Sequence, residues 1–183
     1  MDIAQSKRKF SWQSLGDVQL GRPHLGPLAP VRAYRLMQFT LWDVLTSELG
    51  PEKANDIVRK AGTLAGREFC LNLLDKSLPF IEFISQLQKN LKEQLIGLMR
   101  MEQVDLEAMQ FTLTIAEDLD CSGLPCTDEI VCQYDEGFIG GILEEYTGKP
   151  FHVAEVDCWA SGARVCRFSA KLITDPLESR DFQ

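Results

Sequence analysis

Between Val31 and Leu49 the apolar residues Tyr34, Leu36, Phe39, Leu41, Val44, Leu45 and Leu49 recur at mixed three- and four-residue steps, and Gly50-Pro51 follows them. That spacing predicts an amphipathic helix with a sharp stop. A second helix is predicted from Glu52 to about Leu74, with Ile57, Ala61, Leu64, Ala65 and Phe69 on one stripe. Its small residues Ala61, Gly62, Ala65 and Gly66 let another helix pack close. A third runs from Pro79, which suits a first turn, to about Leu95. Past Gly97 the period becomes two. Phe111, Leu113 and Ile115 alternate with Thr112 and Thr114 in "QFTLTIAED", and together with "LMRMEQVD" and the intervening "LEAM" they predict a β-hairpin with one buried face. "CSGLPCTDE" reads as a loop, Asp128 as the cap of a helix from Glu129 to Tyr146, and Gly148 as its stop. Two last strands, "FHVAEVDCWA" and "RVCRFSAKLI", flank Ser161-Gly162-Ala163.

Helices, hairpin, helix, hairpin is the order of an α+β fold: an antiparallel sheet with helices packed against it, in a single domain, rather than a doubly wound parallel sheet. A length of 183 residues with 45% hydrophobic content suffices for one core. The chain divides into an extended arm over 1–30, broken by the Gly and Pro of "GDVQLGRPHLGPLAP", a domain over 31–173, and a frayed tail over 174–183. A net charge of −8 weighs against nucleic acid and anionic membrane surfaces as partners. The basic run Lys7-Arg8-Lys9 reads as solvated tail. "LTSELGPEKANDIVRKAG" has the outline of a helix-turn-helix, but its second helix carries mixed charge and an apolar stripe that the core needs. No apolar segment follows the N-terminal charges as in a secretion signal, and nowhere do 18 apolar residues run together, so a cytoplasmic location is expected.

In that setting six cysteines favour thiols, metal ligands or redox chemistry over a disulfide framework. With a three-residue loop over Ser161 to Ala163, Ala160 pairs with Arg164 and Cys158 faces Cys166, with Cβ atoms about 4.5–5.5 Å apart. Cys132, in the first turns of its predicted helix, sits where free N–H groups and the helix dipole favour a thiolate. Cys132, Glu155, Cys158 and Cys166 can therefore supply three sulfurs and one oxygen, a tetrahedral set for zinc. One geometric objection stands: residues three apart on a regular strand point to opposite faces, so Glu155 and Cys158 converge only across a bulge or bend. A reversible Cys158–Cys166 disulfide is the alternative. Cys70 reads as a core thiol. For Cys121 and Cys126, beside the cluster, the choice is between a redox or supporting role and none.

The run "DEGFIGGILEEYTGKPFHVAEVDCWASGARVCRF" resembles the 4-vinyl reductase domain family, most strongly from about Ala116 to Ala170, and the helical part from Phe10 to Leu95 has a compatible layout. The family includes sensory domains of phenol- and xylene-responsive activators and is related in fold to vesicle-tethering TRAPP subunits and haem nitric-oxide-binding domains. The resemblance implies a structural zinc on a Cys, Glu-x-x-Cys, Cys pattern, matched here by Cys132, Glu155, Cys158 and Cys166. It also implies a homodimer and a mostly apolar ligand pocket between helices and sheet; the N-terminal arm is expected to pack against the second copy. Candidates for the pocket wall are Phe80, Phe83, Leu87, Phe111, Leu113 and Trp159. The phenol sensors hold the ligand hydroxyl with a pocket His, whereas this chain has only His24 and His152, which points away from phenol and toward other apolar molecules.

The residues weigh against an enzyme. Vinyl reduction needs an electron donor, and Gly137, Gly140 and Gly141 lie within a predicted helix, where they read as small residues that let it approach the sheet, not as a dinucleotide fingerprint. A closed four-ligand site has no open position for substrate. The reading is a non-enzymatic, zinc-stabilised module that binds or senses a small hydrophobic or aromatic molecule. Two rivals stay open: a redox, iron-sulfur or haem (tetrapyrrole-binding) protein that uses the cysteines, and an adaptor with a lipid-filled or empty pocket.

Overall fold

The structure, a computed structural model, describes residues 9–174. Lys7 and Arg8 of the basic run and residues 175–183 of the expected tail lie outside the described residues. A 3-10 turn over Trp12–Leu15 leads to α1 (Val18–Gly21), α2 (Val31–Leu49), α3 (Pro51–Leu73), α4 (Phe80–Glu93), β1 (Leu98–Asp105), β2 (Gln110–Ala116), α5 (Gln133–Thr147), β3 (Phe151–Asp157) and β4 (Cys166–Leu172). The strands form one antiparallel sheet in the order β1-β2-β4-β3. The fold is α+β in a single domain, as the alternation of periods predicts. None of the helices in the described residues is long and apolar enough to cross a membrane.

Phe111, Leu113 and Ile115 of β2, Phe168 and Ala170 of β4 and Val153 of β3 are buried against α4 and α5. Inward positions two apart on each strand give the sheet its apolar face. α5 lies between the sheet and α3, and its run from Gln133 to Leu143 is buried except for the half-buried Tyr134. Such a helix is apolar on more than one face, which is why its hydrophobic pattern is dense rather than striped.

The contact between α3 and α5 is backbone to backbone. A Cβ placed on Gly62 or Gly66 of α3 would lie 2.0 Å from the Tyr134 carbonyl oxygen and 2.1 Å from that of Phe138. One placed on Gly137 or Gly141 of α5 would lie 1.9 Å from the Arg59 oxygen and 2.2 Å from the Thr63 oxygen. The expectation that Gly137, Gly140 and Gly141 let α5 approach the sheet is thus corrected. Only Gly140 faces the sheet, with Val153 at 3.5 Å; the other two meet α3. The buried stripe of α3 is rotated accordingly, to Ala54, Gly62, Gly66, Phe69 and Cys70, leaving Ala61 and Leu64 exposed.

Other boundaries shift for local reasons. The last helix starts at Gln133 rather than Glu129, after Asp128 adopts a left-handed φ of 59° that no helix continues. Pro79 stands at the N-cap of α4. The Gly/Pro-rich arm holds a single helical turn, α1, in place of a wholly extended segment. α2 has no fully buried residue: Tyr34, Phe39 and Leu45 of its expected stripe are half-buried, whereas Leu36, Leu41, Val44 and Leu49 remain exposed.

Gly137→Ala is expected to lower stability by about 1–3 kcal/mol or more, because the new methyl has a backbone oxygen in its place. Gly140→Ala, which gains helix propensity and meets only ordinary contacts, should stay within about 1 kcal/mol of the parent. Urea denaturation of the pair checks this, and equal losses would contradict the close α3–α5 contact.

Candidate metal centre and adjoining cavity

Four buried cysteines from four chain segments meet at one end of the sheet. Cys166 opens β4, Cys158 follows the last residue of β3, Cys132 is the N-cap of α5, and Cys121 lies beyond β2. Their Sγ atoms all lie within 4.8 Å of one another. Cys132 is 3.8 Å from both Cys158 and Cys166, and Cys121 is 3.0 Å from Cys166. A tetrahedron with metal–sulfur bonds near 2.3 Å has edges of about 3.8 Å. Two of the observed separations match that edge, and the Cys121–Cys166 separation is shorter.

The supporting backbone explains the convergence. Asp118 Oδ1 accepts from the N–H groups of Asp120 (2.8 Å) and Cys121 (3.1 Å), turning the chain so that Cys121 points inward. After Asp157 the strand gives way to a turn: the Cys158 carbonyl accepts from the N–H groups of Ser161 (3.1 Å) and Ala163 (3.0 Å). Cys158 therefore lies beyond the ladder, which ends at Asp157↔Arg167, and the expected three-residue loop with Ala160 opposite Arg164 is not formed. A register shift between Glu155 and Asp157 supplies the bulge that the spacing demanded, so Glu155 and Cys158 both face inward. Glu155 Oε2 accepts from the Cys132 N–H at 3.3 Å, while its Oε1 is buried without a hydrogen-bond partner among the described residues. The Glu155 N–H on the sheet edge donates to Glu136 Oε1 at 2.9 Å, and Glu136 pairs with Arg59 of α3 at 2.7 Å.

Crowding the sulfurs divides their acidity. Hydrogen bonds from Cys121, Cys132 and Cys166 hold Cys158 far below the ordinary thiol value, and bonding to Cys121 pushes Cys132 and Cys166 up. Without a cation the cluster thus tolerates a thiolate at Cys158 and resists further ionisation. Burial and then the Cys158 charge push Glu155 up to about 8.

Three more carboxyls are buried nearby: Asp118 and Asp135 come within 4.8 Å of the Cys132 sulfur, and Asp120 follows two residues after Asp118. Burial raises all three; Asp118 pushes Asp120 up to about 6, and Asp118 with Asp120 raises Asp135 well above the usual range. α2 docks here: Tyr34 Oη donates to Asp120 at 2.8 Å, and the Arg35 guanidinium donates to the carbonyls of Asp118, Leu119 and Ser122.

Beside the carboxyls an apolar cavity of about 20 Å³ lies among α4, β1, β2 and α5. Leu87, Met99, Met101, Phe111, Leu113 and Ile142 are among its walls, and Asp135 is the polar side chain lining it. That volume admits about one water. A cleft of about 170 Å³ beneath α2, reached past Tyr34 and Asp120, shares Ile96, Asp135 and Phe138 with the cavity as a common wall.

Residues 111–172, which run from β2 through the cysteine cluster to the end of β4, match the 4-vinyl reductase domain family. An uncharacterized protein of Methanocaldococcus jannaschii is 31% identical over 109 residues, which span 60% of this chain and 65% of that relative, just under two thirds of its length. Among solved structures, the phenol-responsive sensory domain of the transcription activator PoxR with phenol is similar at a TM-score of 0.63 and 14% identity, over 86% of this chain and 83% of that one. A vinyl-4-reductase family protein from Methanocaldococcus jannaschii aligns at 0.59 and 15% identity, over 92% of this chain and 98% of the other. Trafficking protein particle complex subunit 3 from Naegleria fowleri, covalently bound to palmitic acid, aligns at 0.57 and 15% identity, over 79% and 97%. At such identities the likeness is one of fold.

Within the matched residues 111–172 the expected ligands Cys132, Cys158 and Cys166 meet, with Glu155 against the Cys132 backbone. Cys121, whose role the sequence leaves open, joins them as a fourth thiol; it lies in a loop at no recurring spacing from the others. Cys126 is exposed and Cys70 is a buried thiol among the α3 core residues, pushed up to about 11 by burial. Of the expected pocket residues, Leu87, Phe111 and Leu113 line the cavity. Phe80 stacks on Phe111 at 5.1 Å, and the fully buried Phe83 stacks on Tyr146 at 3.9 Å. Trp159 is in the turn after β3, its Nε1–H donating to the Leu124 carbonyl at 3.2 Å.

Glu155, Asp118, Asp120 and Asp135 hold their protons more tightly when folded. Their contribution to stability is complete below the ordinary values of 3.8 and 4.5 and is lost as pH rises through the folded values, about 6 for Asp120 and about 8 for Glu155. The Cys158 thiolate acts with the opposite sign, one group against four. The urea midpoint of the metal-free protein should therefore fall between about pH 4.5 and about pH 8; a flat or rising midpoint would contradict these environments.

Proposed function

We propose that this 4-vinyl reductase domain, residues 31–173 with the arm 1–30, is a cytoplasmic, non-enzymatic module that binds or senses a small hydrophobic or aromatic molecule and is stabilised by a structural zinc ion. The observation that carries the reading is the closed cluster of four buried thiols beside an apolar cavity, with Asp135 lying near Cys132 and lining that cavity. Cys132, Cys158 and Cys166 would hold the metal. Glu155, the ligand implied by the family pattern, and Cys121, whose sulfur is within 4.8 Å of the other three, compete for the fourth position. The Cys121 geometry and an all-sulfur donor set favour a tetrathiolate, with Glu155 hydrogen-bonded to the Cys132 backbone. When bound, the ion supplies charge compensation and a cross-link between β3, β4, α5 and the segment after β2.

The ligand-binding half of the reading is supported by the sensory domain of PoxR, which shares the fold and whose structure holds phenol. The exposed face of α2, with Leu36, Met37, Leu41 and Val44, supports a homodimer formed by α2 and the arm. A lipid-filled cavity is the second reading, favoured by the fold shared with the palmitate-bound trafficking subunit.

Cys158→Ser is expected to lose zinc and lower the melting temperature, whereas Cys70→Ser keeps its zinc and costs about 1–3 kcal/mol through a poorly satisfied buried hydroxyl. Elemental analysis and thermal melting check both. Full zinc occupancy in Cys158→Ser removes the cluster from the reading.

A further inference from the structure

Among the buried side chains with an unpartnered oxygen in the described residues, Asp135 is the one that lines the apolar cavity. It is 5% exposed on the first turn of α5, and its Oδ2 has no hydrogen-bond partner among the described residues. The cavity it faces is otherwise walled by Ile, Leu, Met and Phe side chains. A buried carboxyl oxygen without a partner costs on the order of 1–3 kcal/mol. A trapped water is a poor remedy, since a stable buried water needs about 2–4 polar partners and the cavity lining offers one polar side chain. A hydrogen-bonding group attached to an apolar body satisfies both walls at once: the body takes the hydrocarbon surface and the polar group takes Oδ2.

The position of Asp135 also suits entry. With Ile96 and Phe138 it forms the partition between the apolar cavity and the cleft beneath α2. The cavity alone is too small for a ring, but the cleft holds about 170 Å³, close to the roughly 150 Å³ that accommodates benzene in an apolar protein cavity. The flexible side chains of Met99 and Met101 lie on β1, an edge strand with a bulge between Met101 and Gln103, where the wall yields most readily.

We propose that Asp135 determines ligand specificity: the molecule recognised is an apolar body of about one ring that carries a hydrogen-bond donor, a hydroxyl or a protonated amine, bound to Asp135 Oδ2 at the partition between cleft and cavity. This rests on the small-molecule reading given above and adds the chemistry of the ligand. Sites built to hydrogen-bond a ligand group discriminate strongly against analogues that lack it, because the polar group is left unpaired.

The test uses toluene, benzyl alcohol and benzylamine as probes, with dissociation constants from thermal-shift titrations of the zinc-loaded chain. At least one donor-bearing probe should bind about tenfold or more tightly than toluene, and Asp135→Leu should bring the three to parity while keeping its zinc. Which of the two binds better distinguishes a hydroxyl from an ammonium ligand. If the leucine variant does not fold, Asp135→Asn carries the test: the ranking should move from the amine toward the alcohol relative to the parent, and an unchanged ranking overturns the assignment. Toluene binding as tightly as the others, or a donor preference that survives Asp135→Leu, overturns the role of Asp135 and leaves the binding-module reading standing. Zinc loss in Asp135→Leu would assign the carboxyl to the metal centre instead. Binding of none of the three overturns both.

Discussion

The backbones of α3 and α5 touch across Gly62, Gly66, Gly137 and Gly141, and this contact decides where the N-terminal end of α5 comes to rest. Held close under α3 and over the sheet, that end carries Cys132 at its cap and Asp135 and Glu136 in its first turn. Cys132 reaches the sulfurs at the ends of β3 and β4. Asp135 reaches the cavity wall, and Glu136 joins α3 to the edge of β3 through Arg59 and the Glu155 N–H. A methyl group at any of the four glycines would push the helices apart and displace these groups together.

The thiol cluster and the cavity share that helix, which gives the domain a physical means of coupling one to the other. The turn that holds Asp135 against the apolar cavity follows directly on the residue whose sulfur faces Cys158 and Cys166. A metal that fixes Cys132 also fixes the first turn of α5, and so presents a preorganised wall to a ligand. The buried carboxyls Asp118, Asp120 and Asp135, which burial holds toward their protonated forms, lie where α2 docks through Tyr34 and Arg35. Like the short α1, α2 has no fully buried residue, so it has little core packing to lose if the cleft beneath it opens.

Most of the architecture was legible from periodicity. The helical steps around α2, α3 and α4 and the alternation in β2 needed no tertiary information. The neighbour of each glycine did: Gly137 and Gly141 are small for the sake of α3, and nothing in the run distinguishes a helix partner from a sheet partner. Glu155 and Cys158 share a face only because of a bulge, which leaves no mark in residue spacing. Cys121 is brought in by a turn built on Asp118 Oδ1, and its distance along the chain from Cys132 carries no metal signature. Asp135 stands among the polar residues of a helix start, where a carboxylate is ordinary, so its burial had no signal in the sequence.

X-ray absorption at the zinc edge of the protein as purified tests the central claim most directly, that the four-thiol cluster is a closed structural zinc centre. The account predicts zinc in a shell of four sulfurs at about 2.3 Å. An iron centre, or zinc in a shell dominated by nitrogen and oxygen, would contradict it.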